Sequence, residues 1–408
     1  MNRVKLGDIL CIKHGYAFKS ENYVDKSPYA LVTLANISNS NNFQFTPEKT
    51  TFYGAVFPEE FKLYEDDLIM PLTEQVIGLF GNSAFVPKIK DIQFVLNQRV
   101  GKVIPKENVA DKYYLHYLLS TDIVRDQLEY RASGTRQRNI SPNDVYDVTV
   151  FIPDIETQRK IGKTLYDIER KINLNNKVND NLQQQLKLLY DYWFTQFDFP
   201  DENGKPYRSS GGAMMWNAEL KKDIPKDWSV TTVGEITVCH DSKRIPVSNV
   251  EREKMKGNIP YYGATGIMGY VNRAIFSGDY VLLAEDGSVM DKNGNPIIQR
   301  VSGDVWINNH AHVLQPTGKY SCRLLMMILK DIPVTNIKTG SIQLKINQKN
   351  LNSYKILSIP NDIIEKINQV FNPIDQQLIA IQKETDYLSA VRDWLLPMLM
   401  NGQATIAD

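Results

Sequence analysis

Cysteine is scarce. The chain of 408 residues has three, Cys11, Cys239 and Cys322, and no two of them form a Cys-x-x-Cys pair. This excludes a disulfide framework, and it fits a reducing compartment. Long apolar runs are missing as well. No stretch approaches the ~20 residues that a membrane-crossing helix needs, and MNRVKLGDILCIKHGY lacks the apolar centre of a signal peptide. The expectation is a cytoplasmic protein with no membrane partner. Net charge is the third absence: Lys+Arg and Asp+Glu both number 47. A chain that coats nucleic acid by bulk charge is usually basic, so any basic surface here must be local.

Catalytic machinery is the fourth absence. No nucleophile–base set and no metal cluster stand out. PYYGATGIMGYV (260–271) is rich in glycine but lacks the Gly-Lys-Ser/Thr ending and the strand-to-helix setting of a phosphate loop, so it reads as a glycine-rich hairpin. DIERK (167–171) contains a Glu-x-Lys of the kind nucleases use, but it lies inside a helical pattern where charges flank a seam. No Asn-Pro-Pro-aromatic tetrapeptide, used by adenine methyltransferases to hold a flipped base, is present. Alternation in NNHAHVL (308–314) puts His310 and His312 on one strand face, with no Cys, Asp or Glu beside them to complete a metal set. The expectation is no catalytic residue, no metal and no cofactor in this chain.

What is present is ordinary in bulk, 42% hydrophobic and 23% charged, with length for two or three domains. It is also repeated. SGTRQRNI (133–140) falls on TGSIQLKI (339–346), and at the same offset Val145 falls on Leu351, Ile161 on Ile367, Leu165 on Phe371, Ile168 on Ile374 and Ile172 on Leu378. Ile152-Pro153 matches Ile359-Pro360 with a slip of one residue. Each copy opens on a similar strand, VKLGDI near Val4 and VTTVGEI from Val230. The stretches between these matched parts hardly resemble each other. One frame with divergent inserts suggests two recognition modules on one scaffold.

Each copy ends in a long helical pattern. Ile161, Leu165, Ile168, Ile172, Asn175, Asn179, Leu182, Leu186, Leu189 and Trp193 follow one another in steps of four and three, which is a coiled-coil seam. Its asparagines are polar seam residues of the kind that fix register. Ile367, Phe371, Ile374, Leu378, Ile381, Thr385, Leu388, Arg392 and Leu395 repeat the phase. Pro373 should kink the second helix and Pro397 should help end it. A helix of ~40 residues is ~60 Å long, so an antiparallel pair would serve as a spacer between modules reading two separated half-sites. The bland alternative is a helical core with no spacing role.

The expected fold is therefore mixed α/β (α+β). Two globular recognition domains (1–153 and 229–360) are separated by two long helices (154–197 and 361–402) forming an antiparallel coiled coil, as a pseudo-two-fold tandem repeat. The intervening 198–228 is dense in Gly, Pro, Ser and charge and reads as a linker, with Met214, Met215 and Trp216 anchoring it to a domain.

The candidate DNA-binding residues are polar and basic groups in turn-like segments. Arg136, Gln137, Arg138 and Asn139 lie in the first short element; arginine forks onto guanine or phosphate, and Gln and Asn suit adenine. Gln343, Lys345 and Lys349 occupy an acid-free run in the second copy. Lys19 sits among aromatics in GYAFKSENY. Gln98 and Arg99 lie in NQRVGKV, at a place comparable to that of Asn309 and His310 in NNHAHVL. Lys243 and Arg244 lie in SKRIPVS, and Tyr262 and Thr265 in the glycine-rich hairpin. Each of these also has an ordinary reading as part of a solvated turn.

IPDIETQRKI, a helix ending LLYDYWFTQFDFP, then NGKPYRSSGG and IPKDWSVTTVGEI, in that order on a tandem frame, resemble the specificity subunits of type I restriction–modification systems. GYAFKSENY and IPYYGATGIMGYV resemble that family's variable modules. The resemblance covers essentially the whole chain. It implies two target-recognition domains, each reading half of a bipartite, asymmetric site in double-stranded DNA. It implies two methyltransferase (modification) subunits that carry S-adenosylmethionine and methylate adenine. It also implies restriction subunits that use ATP and magnesium to translocate and cleave. Trp193, Phe194, Trp394 and Leu395 are the candidates for docking such partners. A restriction enzyme with built-in catalysis would need motifs that are absent here. A helical scaffold that never meets DNA is the remaining alternative.

Overall fold

The computed structural model describes residues 1–75, 77–340 and 344–406. Two compact units form, Met1–Asn176 with Glu384–Asp408, and Lys177–Lys383. Each unit thus takes part of both long helices, Ile155–Tyr190 and Asn361–Met400. A single π-helical turn, Asp191–Thr195, follows the first of these helices. Among the described residues, no helix is long and apolar enough to cross a membrane.

In the first unit, the opening strand Asn2–Lys5 pairs antiparallel with Thr149–Ile152, directly before the long helix. In the second unit, Ser229–Thr232 pairs in the same way with Lys355–Ser358. These pairs bring the two matched ends of each copy together, which explains why those ends share sequence while the inserts do not. The first insert forms two four-stranded sheets, and the second forms one six-stranded sheet. In each, a strand running parallel to its neighbour leads into a sharp turn: Gln93–Leu96 beside Tyr29–Val32, and Ile298–Ile307 beside Ile259–Tyr262.

The expected seam forms. Ile161, Leu165, Ile172 and Leu186 of the first helix are buried, as are Ile367, Phe371 and Leu378 of the second. Burying each such side chain stabilises by about 2 kcal/mol. In the first unit the helix segments run antiparallel. Asn175 donates to Glu384 Oε2 (2.8 Å) and Thr385 Oγ1 (3.3 Å), while Ile161 and Leu165 share a core with Leu399 and Met400. Asn175 is a polar layer in the seam, buried to 4% exposure with its amide satisfied. Such a layer favours one register over others at a cost in stability.

One expectation needs correction, and one helix runs through a proline. Asn361–Met400 is one helix through Pro373. Proline removes one N–H and crowds the carbonyl four residues earlier; Pro373 and Gln369 both lie on the exposed face, so this local change falls away from the core. Pro397 fits a helix that ends at Met400. The linker is anchored differently. Trp216 and Met215 stay exposed at 62% and 46%. Instead Phe199 stacks between Tyr207 and Trp228, with ring centroids 4.8 Å from each. Phe197, Phe199 and Trp228 enter the second unit's core with Met214 packed against it.

Candidate nucleic-acid interface

The described ends of the two short repeated elements pair in the same way. In the first unit Ser133 and Asn139 exchange backbone hydrogen bonds (3.0 and 2.8 Å). In the second, Thr339 pairs with Lys345 at the matching register. Gly134 and Gly340 open the two tips with φ of +110° and +80°, a region that L side chains rarely adopt. A Cβ on Gly134 would stand 2.2 Å from the Gln137 carbonyl oxygen, so glycine is required there.

Each hairpin is the outer rail of a hydrogen-bonded series. In the first unit Ile140 N–H donates to the Leu72 carbonyl (3.0 Å), Leu72 N–H to the Arg99 carbonyl (2.9 Å), and Gln98 N–H to the Tyr16 carbonyl (3.0 Å). In the second unit Ile346 N–H donates to Glu285 (2.8 Å), Glu285 N–H to His310 (2.8 Å), and Asn308 N–H to Tyr262 (3.0 Å). The innermost rail slips by one residue; the others coincide. Each turn is fixed by a buried asparagine. Asn97 Oδ1 accepts from Arg99 N–H (3.3 Å) and Asn308 Oδ1 from His310 N–H (2.9 Å). NQR and NNH therefore do occupy comparable places, and Leu72–Thr73 corresponds to Glu285–Asp286.

The side chains on this shared relay differ. Arg99 and Arg136 are exposed and have no side-chain partner among the described residues. Gln137 bonds Asn139 Oδ1 (3.3 Å), which also accepts from Thr73 Oγ1 (2.9 Å). Gln98 is exposed beside Arg99, and Lys19 is exposed with Glu21 at 3.9 Å. In the second unit Lys243, Thr265, Asn309 and Lys349 are exposed, Tyr262 is half-buried against the sheet core, and Lys345 reaches Glu285 at 3.0 Å. Gln343 lies outside the described residues.

Several sequence candidates are committed inward. Arg138 forks onto Glu74, whose carboxylate is 1% exposed and also accepts from Leu79 N–H at 2.9 Å. An unpaired buried carboxylate is costly, so this guanidinium neutralises the fold rather than facing solvent. Arg244 is bound likewise. It bonds Glu285 (2.6 Å) and the Ala311 carbonyl (2.7 Å), and lies 3.3 Å from Asp241. Trp193 and Phe194 lie in the π-turn and are buried at 8% and 4% in the second unit's core, which leaves no face of either ring for a docked partner. Leu395 is half-buried against the first unit's core, whereas Trp394 is 60% exposed.

The two histidines do not share a face. His310 precedes the strand Ala311–Pro316, and its Nδ1 is 2.6 Å from Asp286 Oδ1. His312 is 1% exposed, with Nδ1 2.5 Å from Asp241 Oδ2 and Nε2 2.9 Å from the Ile346 carbonyl. The fold thus supplies the acids that the local sequence lacks. Cys239, Asp241 and His312 have potential metal-ligand atoms within 4.8 Å. Each ligand atom of His312 already has a partner, Arg244 holds a positive charge against Asp241, and burial pushes the Cys239 thiol up to about 12. This arrangement suits a salt-bridged strut under the hairpin better than a cation. Burial works to raise Asp241 and to lower His312, but their mutual bond outweighs it, so Asp241 is held below and His312 above its ordinary pKa.

One pair of residues went unnoticed in the sequence. Glu169 of the first long helix accepts from Tyr117 Oη at 2.8 Å, and Asp375 of the second accepts from Arg323 Nε at 2.8 Å. Glu169 and Asp375 stand at the same offset as Ile140 and Ile346, and so do Tyr117 and Arg323. A buried carboxylate thus latches each long helix to its own module. DIERK supplies Glu169 to this latch, not to a solvated flank or a cation site.

The profile of the type I restriction modification DNA specificity domain family matches residues 1–184 and 225–387. The chain belongs to this family. The MjaIX type I restriction enzyme specificity subunit of Methanocaldococcus jannaschii is 26% identical over 332 residues, covering 76% of this chain and 73% of that protein. The HindI specificity subunit of Haemophilus influenzae is 20% identical over 391 residues, covering 79% and 84%. Among solved structures, the S subunit of the type I system of M. genitalium shares the fold, with a TM-score of 0.62 at 16% identity over 98% of this chain and 95% of that one. The family's two matched regions coincide with the two copies that carry the hydrogen-bonded relay.

Proposed function

We propose that the chain is the DNA specificity subunit of a type I restriction–modification complex. Each module reads one half of a bipartite, asymmetric site in double-stranded DNA. The single observation that carries this reading is the shared relay: one backbone scaffold, repeated in register, with different polar side chains on its rails. A retained frame with different exposed donors is what two modules reading different half-sites need, whereas a duplication kept for folding alone would place no demand on those donors. The long helices hold the modules and set the gap between half-sites. With Trp394 exposed on the second, they also offer surface to two modification subunits. Those partners would bind S-adenosylmethionine and methylate adenine. Restriction subunits would add ATP- and magnesium-dependent translocation and cleavage. This chain would supply geometry and base contacts, and no chemistry of its own, in the cytoplasm.

The test is a methyladenine map of genomic DNA from cells with and without this gene, with the cognate modification subunit present. Loss of methylation at one two-part motif with a fixed gap supports the reading. An unchanged map, with the complex shown to assemble, would favour a helical scaffold that does not meet DNA.

A further inference from the structure

Equivalence of the two relays goes further than a common fold, because it aligns individual side chains. Arg99 and His310 occupy the same rail position: each follows its asparagine turn by two residues, and each gives its carbonyl to the next rail. Both are exposed. Their hydrogen-bonding chemistry is opposite. Arg99 is donor-only and has no side-chain partner among the described residues, unlike Arg138 and Arg244. His310 is orientated by Asp286, whose Oδ1 lies 2.6 Å from Nδ1. A carboxylate can only accept, so Nδ1 carries the hydrogen. In the neutral ring, Nε2 then keeps its lone pair and is an acceptor. Asp286 is itself held on the relay by its bridge to Lys345.

Resting on the DNA-reading role above, we propose that Arg99 and His310 are equivalent specificity-determining residues of the two modules. They demand different base edges: Arg99 an acceptor edge such as guanine O6/N7, and His310, with its ring neutral, an amino donor such as adenine N6 or cytosine N4. Asp286 is a positioning residue that selects the His310 tautomer. The corresponding residue in the first module is Thr73, which is bonded to Asn139, so only the second module has this selector.

The experiment is selection of a randomised duplex library by the complex of this chain with its modification subunits, at one salt concentration, followed by sequencing. The wild-type complex should enrich a two-part motif. If it enriches none, the DNA-reading role itself fails. Given a motif, Arg99→Lys keeps the charge but loses the fork. It should weaken selectivity for guanine at one position of one half-site by roughly ten- to hundredfold, with the other half-site unchanged. His310→Ala should relax one position of the other half-site, where the wild type takes adenine or cytosine. Asp286→Asn can donate or accept, which frees both tautomers, so guanine or thymine should gain entry at that position. If Arg99→Lys leaves every position as selective as before, Arg99 meets phosphate and the assignment is overturned. A wild-type preference for guanine or thymine at the His310 position, or no change with Asp286→Asn, overturns the tautomer argument.

Discussion

Arg138 and Arg244 show what a sequence withholds at the residue scale. In the chain, each stands in a short basic stretch, Arg138 with no acid inside it and Arg244 with Asp241 three residues before it. In the fold, Glu74 and Glu285 arrive from distant strands and take both guanidinium groups. Arg99 and Arg136 had the same appearance and remain exposed. Asp241 is a local hint for Arg244 alone; for both buried arginines the nearest carboxylate, Glu74 or Glu285, is a tertiary partner. Removing one member of a buried pair leaves a bare charge. Arg138→Ala should therefore lower stability by about 3 kcal/mol in denaturant unfolding. Pairing it with Glu74→Gln should recover much of that loss; if the double variant were as unstable as the single, Glu74 would not be the reason.

The His312–Asp241 bond makes a pH prediction for the same module. Asp241 is lowered in the folded state, so its contribution is present above the ordinary carboxylate pKa near 4 and is lost as pH falls through the folded value. His312 is raised, so its contribution is full below about 6.5 and is lost as pH climbs through the folded value. Melting temperature followed against pH should show the bond's contribution between these limits. The Asp241→Asn/His312→Gln double variant should flatten both flanks, and flanks unchanged in that variant would contradict the assignment.

At the scale of elements, periodic patterns were the most legible. The seams of both helices, the entry strand of each copy and the repeated turn-like element follow from spacing, because a buried stripe or a Gly-opened turn leaves a local signature; the strand pairings came only with the fold. The Glu169–Tyr117 and Asp375–Arg323 latches were hidden, since a carboxylate on a helix reads as a solvated charge. The repeat could have exposed them: two acids at one offset, opposite two polar residues at the same offset. Arg300 also bonds Asp375, at 3.2 Å. Asp375→Ala leaves the buried Arg323 with no counter-charge among the described residues and Arg300 with Asp279 alone, and should cost ~3 kcal/mol, read by unfolding of the full chain. A loss within experimental error would mean that the latch holds nothing. In the first hairpin, Gly134→Ala forces a Cβ against Gln137 and a disfavoured φ. It should blur recognition of one half-site and leave the other intact; equal damage to both halves would show that the hairpin does not act locally.

On the scale of the whole molecule, the balanced charge and missing catalytic motifs narrowed the function before any fold was visible, and the tandem frame supplied the family. The contact residues stayed beyond sequence because each module builds its exposed surface from loops that meet only in three dimensions. The spacing role makes a geometric prediction. Removing one heptad from each long helix, near residues 176 and 384, shortens both by about 10 Å. At ~3.4 Å per base pair, the gap between half-sites should contract by about three base pairs while the half-sites stay the same. A changed half-site with an unchanged gap would refute the spacer role.

The central claim is that two independent modules on one frame each read their own half-site. Its most direct measurement is a methyladenine map made with a hybrid chain, in which the insert of the first copy replaces that of the second between the matched strands. The hybrid should methylate a two-part motif whose parts are the same half-site, separated by the original gap. A hybrid that assembles with its partners yet still methylates the original asymmetric site would contradict it.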